Sequence, residues 1–149
     1  MACFARMKCD KCDAQYEEGS PCACTVCGGS IQIQYDYEAI SKSVSKNGLA
    51  AREAGVWKYA ELLPLPRTAR IATLGEGGTR LVKSERLGQA VGLKKLFLKD
   101  ETRNPTGSFK DRCSTVSISK ALEAAADGVV IASSGGAAAS ACAYSTVAE

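Results

Sequence analysis

The residues best equipped for chemistry run Asn104-Pro105-Thr106-Gly107-Ser108-Phe109-Lys110-Asp111-Arg112. The pattern places Lys110 in the first turn of a helix, behind a glycine-containing bend and a short apolar strand at Leu96-Phe97-Leu98. The positive end of a helix dipole disfavours an ammonium by up to about 1 kcal/mol. A lysine kept there implies that its amine has work to do. Ser108 and Asp111 form an S-x-x-D helix start, in which Ser108 caps a backbone N–H and Asp111 answers the positive end. Pro105 and Gly107 fix the preceding bend. Lys110 then projects from a rigid first turn, which suits a nucleophilic amine that must meet a carbonyl repeatedly.

Cysteine is the second reactive type. Of eight cysteines, six fall within the first 27 residues, a clustering that argues for a local metal knot rather than a disulfide framework. Cys9-Asp10-Lys11-Cys12 and Cys24-Thr25-Val26-Cys27 are two C-x-x-C pairs separated by eleven residues, the ligand spacing of a zinc ribbon. Each pair on a tight turn makes two thiolates converge, and Gly28-Gly29 frees the backbone behind the second turn. Cys22 competes with Cys24 as a ligand. Four thiolates leave no open coordination position, so the expected zinc ion is structural. Cys113 and Cys142 read as small buried hydrophobes in helices. The chain has no histidine, which excludes Ser-His and Cys-His catalysis and every imidazole-dependent metal site.

The positioning elements follow from periodicity. Ile31 to Tyr35 alternates as a half-buried strand. Residues 36 to 66 read as a helical connector closed by Pro64 and Pro66. Leu74-Gly75-Glu76-Gly77-Gly78-Thr79 is a glycine-rich turn without the lysine of a P-loop. A helix is expected from Ser108 to Ala126, with Phe109, Cys113, Val116, Ile118, Leu122 and Ala125 as its apolar positions. Ser114, Ser117 and Ala121 leave close-packing space on the face of Lys110. Gly128 to Ala132 reads as a parallel strand covered on both faces, and Ser133-Ser134-Gly135-Gly136 turns into a second helix ending near Val147. This β–α–β–α order is the grammar of a doubly wound α/β sheet. The expected organisation is a zinc-ribbon-like segment over 1–36, a helical connector over 37–73 and an incomplete α/β domain over 74–149.

Composition narrows the functional classes. Hydrophobic residues at 46% and charged residues at 23% are ordinary for a globular protein. The net charge of +3 is scattered, so no nucleic-acid stripe is expected. No apolar run reaches membrane-span length and no leader pattern is present, so a cytoplasmic location without membrane partners is expected.

Together these segments resemble threonine synthase, a pyridoxal-phosphate enzyme of the tryptophan-synthase-β structural class. The resemblance is carried by the cysteine knuckle with Tyr35-Asp36-Tyr37-Glu38, Trp57-Lys58-Tyr59 with Leu62-Leu63-Pro64, and the Leu74 to Thr79 turn. It continues through Lys99-Asp100-Glu101-Thr102 and Asn104 to Arg112, and on to Ala132-Ser133-Ser134-Gly135. It implies that Lys110 carries pyridoxal 5'-phosphate as a Schiff base and then shuttles protons, and that Phe109 lines the cofactor pocket. Ser133, Ser134 and Gly135 would hold the substrate carboxylate at a helix N-terminus. The implied reaction converts O-phospho-L-homoserine and water to L-threonine and phosphate, an amino-acid phosphate being the small-molecule partner. The intact protein is expected to be a homodimer.

Two positions depart from the family pattern. Gly136 stands where an asparagine usually hydrogen-bonds the cofactor's ring hydroxyl, a loss of about 1–3 kcal/mol if that hydroxyl stays buried and unpaired. Arg80 replaces a proline. The chain also ends before the family's glycine-rich phosphate cradle, so it is expected to be an amino-terminal fragment, inactive alone. The competing readings are a cysteate synthase-like or threonine dehydratase-like enzyme, and a non-catalytic zinc-ribbon remnant.

Overall fold

The computed structural model describes residues 4–17, 23–66 and 69–148. The chain divides into two compact units: residues 1–52 with 59–67, and residues 53–58 with 68–149.

The first unit is built on a three-stranded antiparallel sheet in the order β2-β1-β3, with β1 at Phe4–Cys9, β2 at Gln15–Tyr16 and β3 at Ile31–Tyr35. The register sets Met7 opposite both Tyr16 and Ile33, and Cys9 opposite Ile31. β3 alternates half-buried and exposed residues along its length, as its sequence period requires. Helix α1 (Tyr37–Ser43) starts where the Asp36 carboxylate accepts the Ala39 N–H at 2.8 Å. Ser45 caps the short helix α2 (Lys46–Ala50) by accepting from Gly48 N–H. The connector is therefore two short helices and a 3₁₀ segment at Trp57–Leu62. Within this unit the buried carboxylate of Glu61 receives both guanidinium branches of Arg52 at 2.7 Å.

The second unit carries β4 (Leu81–Lys83), α3 (Glu85–Ala90), β5 (Phe97–Lys99), α4 (Asp111–Glu123) and α5 (Gly136–Thr146). Secondary structure is α/β, but the expected parallel sheet is not formed among the described residues. β5 pairs antiparallel with β4, Val82 facing Leu98. Gly128 to Ala132 joins no sheet, and Val130 is fully exposed. An apolar run becomes a buried strand only where neighbouring backbones offer N–H and C=O groups and other elements cover both faces. No described strand does so here.

Helix α4 also differs from its expected face. Its buried positions are Asp111, Ser114, Thr115, Ile118 and Ser119, a mostly hydroxylic stripe. Cys113 and Cys142 are exposed rather than buried. The apolar cluster consists of Ala72, Ile118 and Tyr144 with Leu122, Ala143 and Ala148 against it, so much of the packing rests on satisfied polar contacts. Thr115 Oγ1 accepts the Trp57 indole N–H at 2.9 Å and donates to the Ala72 carbonyl at 2.7 Å. Ser119 Oγ accepts the Ala72 N–H. These bonds satisfy Ala72 on both sides and tie α4 to the segment leading into the glycine-rich turn.

Candidate functional site

The Lys110 corner is fixed from several directions. Helix α4 begins at Asp111, so Lys110 is its flanking cap residue, with φ −59° and ψ −26°. Ser108 does not cap Asp111. Its Oγ accepts the Lys110 N–H at 3.2 Å, while the Ser108 carbonyl accepts the Asp111 N–H at 3.3 Å. Ser108 thus caps a backbone N–H as expected, whereas the Asp111 half of the expected helix start is not formed because its side chain is engaged elsewhere. Its carboxylate, fully buried, accepts the Thr106 N–H at 2.7 Å, the Thr106 hydroxyl at 2.5 Å and the Ser140 hydroxyl at 2.6 Å. Gly107, at φ +75°, turns the loop, and its N–H donates to the Asn104 carbonyl.

Lys110 itself is half-buried, its Nζ lying 4.6 Å from the centroid of the Phe109 ring. Phe109 is 58% exposed and lines an open cleft of about 540 Å³ with Val82, Leu98, Glu101, Thr102 and Ser108. A second cleft of about 550 Å³, lined by apolar residues of α4, α5 and residues 126–131, includes no residue of the Lys110 corner.

The Ser133–Gly136 turn lies beside that corner. A Cβ built on Gly136 would stand 3.8 Å from Ser108 Oγ. Ser133 Oγ accepts the Gly135 N–H at 3.1 Å, and Ser133, Ser134, Gly135 and Gly136 are all exposed at the start of α5. The structure thus brings the lysine loop and the second turn together.

Two polar networks that the sequence did not disclose hold the floor of this region. Glu101 accepts both Nε and Nη2 of Arg112 at 2.7 Å, the Thr79 hydroxyl at 2.7 Å and Asn104 Nδ2 at 3.0 Å. The Arg112 guanidinium, with the Thr79 and Asn104 donors, lowers the Glu101 carboxyl to about 2, against the opposing effect of burial. Asn104 Oδ1 accepts the Gly77 N–H at 3.0 Å, which joins the network to the glycine-rich turn. Lys99 Nζ donates to the Thr79 carbonyl on the same side. In the second network the buried Glu76 carboxylate accepts Tyr144 OH at 2.8 Å, Thr73 Oγ1 and the Leu74 N–H. Burial pushes the Glu76 carboxyl up, but its own backbone N–H with the Tyr144, Thr115 and Leu74 donors outweighs it and leaves it lowered; burial and the Glu76 hydrogen bond and charge raise Tyr144. The only sequence signal for either network was a carboxylate inside a glycine-rich turn or beside an arginine-bearing helix.

In the first unit Cys9, Cys12, Cys24 and Cys27 converge, all four sulfurs lying within 4.8 Å of one another. Cys9 and Cys27 are 3.5 Å apart, as are Cys12 and Cys24. A tetrahedral Zn–S₄ centre with bonds of about 2.3 Å needs S···S edges of about 3.8 Å, so the four thiols fit such an ion. Local backbone bonds shape both knuckles: the Cys9 N–H donates to Ala14 O, and the Gly28 N–H to Cys24 O. A Cβ at Gly29 would lie 2.9 Å from both Cys9 Sγ and Asp10 Oδ1, so a larger residue there must displace those side chains. The Tyr16 hydroxyl, 3.0 Å from Cys24 Sγ, lowers that thiol to about 6 against the effect of burial. Cys12 is pushed up to about 12, the neighbouring thiols Cys27 and Cys24 outweighing a favourable backbone N–H at Ala14. Thiols this close resist joint ionisation without a cation among them. Cys22, the alternative ligand, lies outside the described residues.

Among the described residues no helix is long and apolar enough to cross a membrane. Residues 72–149, which include Lys110 and the Ser133–Gly136 turn, match the family described as pyridoxal-phosphate dependent enzyme. The chain is 44% identical over 138 residues to threonine synthase of Methanocaldococcus jannaschii, covering 93% of this chain and 34% of that protein. It is 44% identical over 130 residues to threonine synthase of Methanosarcina acetivorans, covering 87% and 31%. Threonine synthase of Halalkalibacterium halodurans is 41% identical over 87 residues, 58% of this chain and 24% of that protein. The chain spans about a third of the length of the first two relatives. With more than half its length matched and the lysine corner inside the match, the chain belongs to the pyridoxal-phosphate dependent enzyme family.

Proposed function

We propose that this chain supplies the lysine-bearing part of a threonine synthase-like lyase, acting on O-phospho-L-homoserine and water to yield L-threonine and phosphate. The observation that carries the reading is the half-buried Lys110 in a corner pinned by Ser108, Gly107 and Asp111, within 149 residues that resemble threonine synthases along most of their length. Pyridoxal 5'-phosphate, when bound, supplies the electron sink. Lys110 would hold the cofactor through its amine and would move protons at Nζ. Phe109 flanks the ammonium and limits water on one side of it. The Ser133–Gly135 turn, exposed at the start of an eleven-residue helix, would orient a carboxylate.

Gly136, which has no side chain to offer, would leave the cofactor's ring hydroxyl without the amide partner that the family resemblance implies. The four cysteines would hold a structural zinc ion that fixes the β1–β3 unit. Homodimerisation belongs to the same reading, by likeness to the family. The relatives named above are all threonine synthases, and no contact at the Lys110 corner favours cysteate synthase-like or dehydratase-like chemistry.

The deciding experiment exposes the folded chain to pyridoxal phosphate, reduces with borohydride and maps the added mass. Preferential modification of Lys110 over the other lysines is expected. Uniform modification of exposed lysines with Lys110 spared would end the cofactor assignment.

A further inference from the structure

We propose that Asp111 is a positioning residue that holds the lysine loop and the start of α5 in register, so that Lys110 and the Ser133–Gly136 turn face one site. The proposal rests on the reading of Lys110 as the cofactor lysine. A carboxylate in the first turn of a helix ordinarily stays in solvent and answers N–H groups of its own helix. Asp111 does neither. It is fully buried, and its three donors all come from outside α4: the Thr106 N–H on Oδ2, and the Thr106 and Ser140 hydroxyls on Oδ1.

The first two bonds close the six-residue loop 106–111 that contains Lys110. The third reaches α5 at Ser140, one helical turn beyond Gly136. Ser140 is itself fully buried and lies 2.8 Å from Ser114 Oγ, so its hydroxyl cannot swing away to another partner cheaply. The neighbouring ionisable groups are already committed: Glu76 to Tyr144, Thr73 and Leu74, and Glu101 to Arg112, Thr79 and Asn104. One side chain therefore links the loop that aims the amine to the helix whose first turn would receive the substrate carboxylate.

Asp111→Asn and Ser140→Ala separate the two arms of the link. Asn replaces one acceptor oxygen with a donor, so it cannot satisfy the Thr106 amide and both hydroxyls as Asp does. Ser140→Ala removes the α5 arm together with the Ser114 contact and leaves both Thr106 bonds in place. Each full-length variant is examined by far-UV circular dichroism, by amide hydrogen exchange, and by the share of reductive pyridoxal phosphate label at Lys110 relative to the other lysines. In Asp111→Asn the amides of 106–110 should exchange about tenfold faster. The Lys110 share should fall about tenfold, with helix content and the other lysines unchanged. In Ser140→Ala the Thr106 amide should stay protected while amides 137–140 loosen. A folded Asp111→Asn with unchanged exchange at 106–110 and unchanged labelling overturns the proposal. Should Asp111→Asn fail to fold, Thr106→Val removes a single hydroxyl donor and must lower the Lys110 share about threefold, or the proposal falls. A wild-type chain that never favours Lys110 refutes the cofactor reading instead, while the exchange pattern still decides whether Asp111 sets the loop.

Discussion

Gly75 and Gly77 occupy the same left-handed backbone region two residues apart, at φ +82° and +89°, yet they meet different surroundings. A Cβ on Gly75 has nothing within 4 Å. A Cβ on Gly77 would lie 2.8 Å from Val56 N, 2.9 Å from the Gly55 carbonyl carbon and 3.1 Å from Gly55 Cα. All three are backbone atoms, which cannot rotate aside, and Val56 N donates to the Glu76 carbonyl at 3.1 Å. Both Gly→Ala changes incur the left-handed penalty of about 1–2 kcal/mol. Only Gly77→Ala adds overpacking of about 1–3 kcal/mol and the loss of a hydrogen bond of about 1 kcal/mol. Gly77→Ala should therefore be less stable than Gly75→Ala by about 2–4 kcal/mol. Urea titration followed by tryptophan fluorescence reads this directly. Trp57 is the sole tryptophan, and its indole is bonded to Thr115 in the same unit. Equal unfolding free energies for the two variants would refute the argument that the glycine-rich turn is tight because Gly55 and Val56 press against it.

Two further outcomes follow from the networks. Glu101 is depressed to about 2, so its contribution is complete above the ordinary carboxylate range and is lost as pH falls toward 2. Glu101→Gln should cost about 1–2 kcal/mol at pH 7, the low end for a charged hydrogen-bonded pair because the Glu101 side chain is 26% exposed, and should flatten the acid limb of the stability profile. Unchanged acid sensitivity in that variant would contradict the assignment. In the knuckle, the wild-type chain should take up one zinc ion, and Cys9→Ser should weaken that uptake by more than about a hundredfold in a competitive chelator titration. A variant that binds as tightly as the wild type would exclude the four-thiolate site.

Part of this protein was legible without coordinates because it depends on residues close in sequence. The two C-x-x-C spacings predict converging thiols, and four sulfurs within 4.8 Å bear this out. The alternation of Ile31 to Tyr35 predicts a half-buried strand, and β3 has that pattern. The turn chemistry around Gly107 and Gly135 places the starts of α4 and α5 to within about three residues. The exposure of Cys113 and Cys142 was not legible, since a helical period indicates which residues share a face but not which face meets a neighbour. Helix α4 proved to bury a mostly hydroxylic face against the Ala72 backbone, the Trp57 indole and α5.

By itself the sequence determined the cysteine cluster, the lysine-bearing turn and the family, because spacing and turn residues act locally and the Asn104 to Arg112 wording is specific. Tertiary structure alone decided that Asp111 joins the lysine loop to α5, that Glu76 is buried against Tyr144, and that Gly128 to Ala132 has no strand partner among the described residues. The physical reason is common to all three. A carboxylate, a hydroxyl or an extended backbone carries bonding capacity without an address, and only the packing of distant segments supplies the partner that satisfies it.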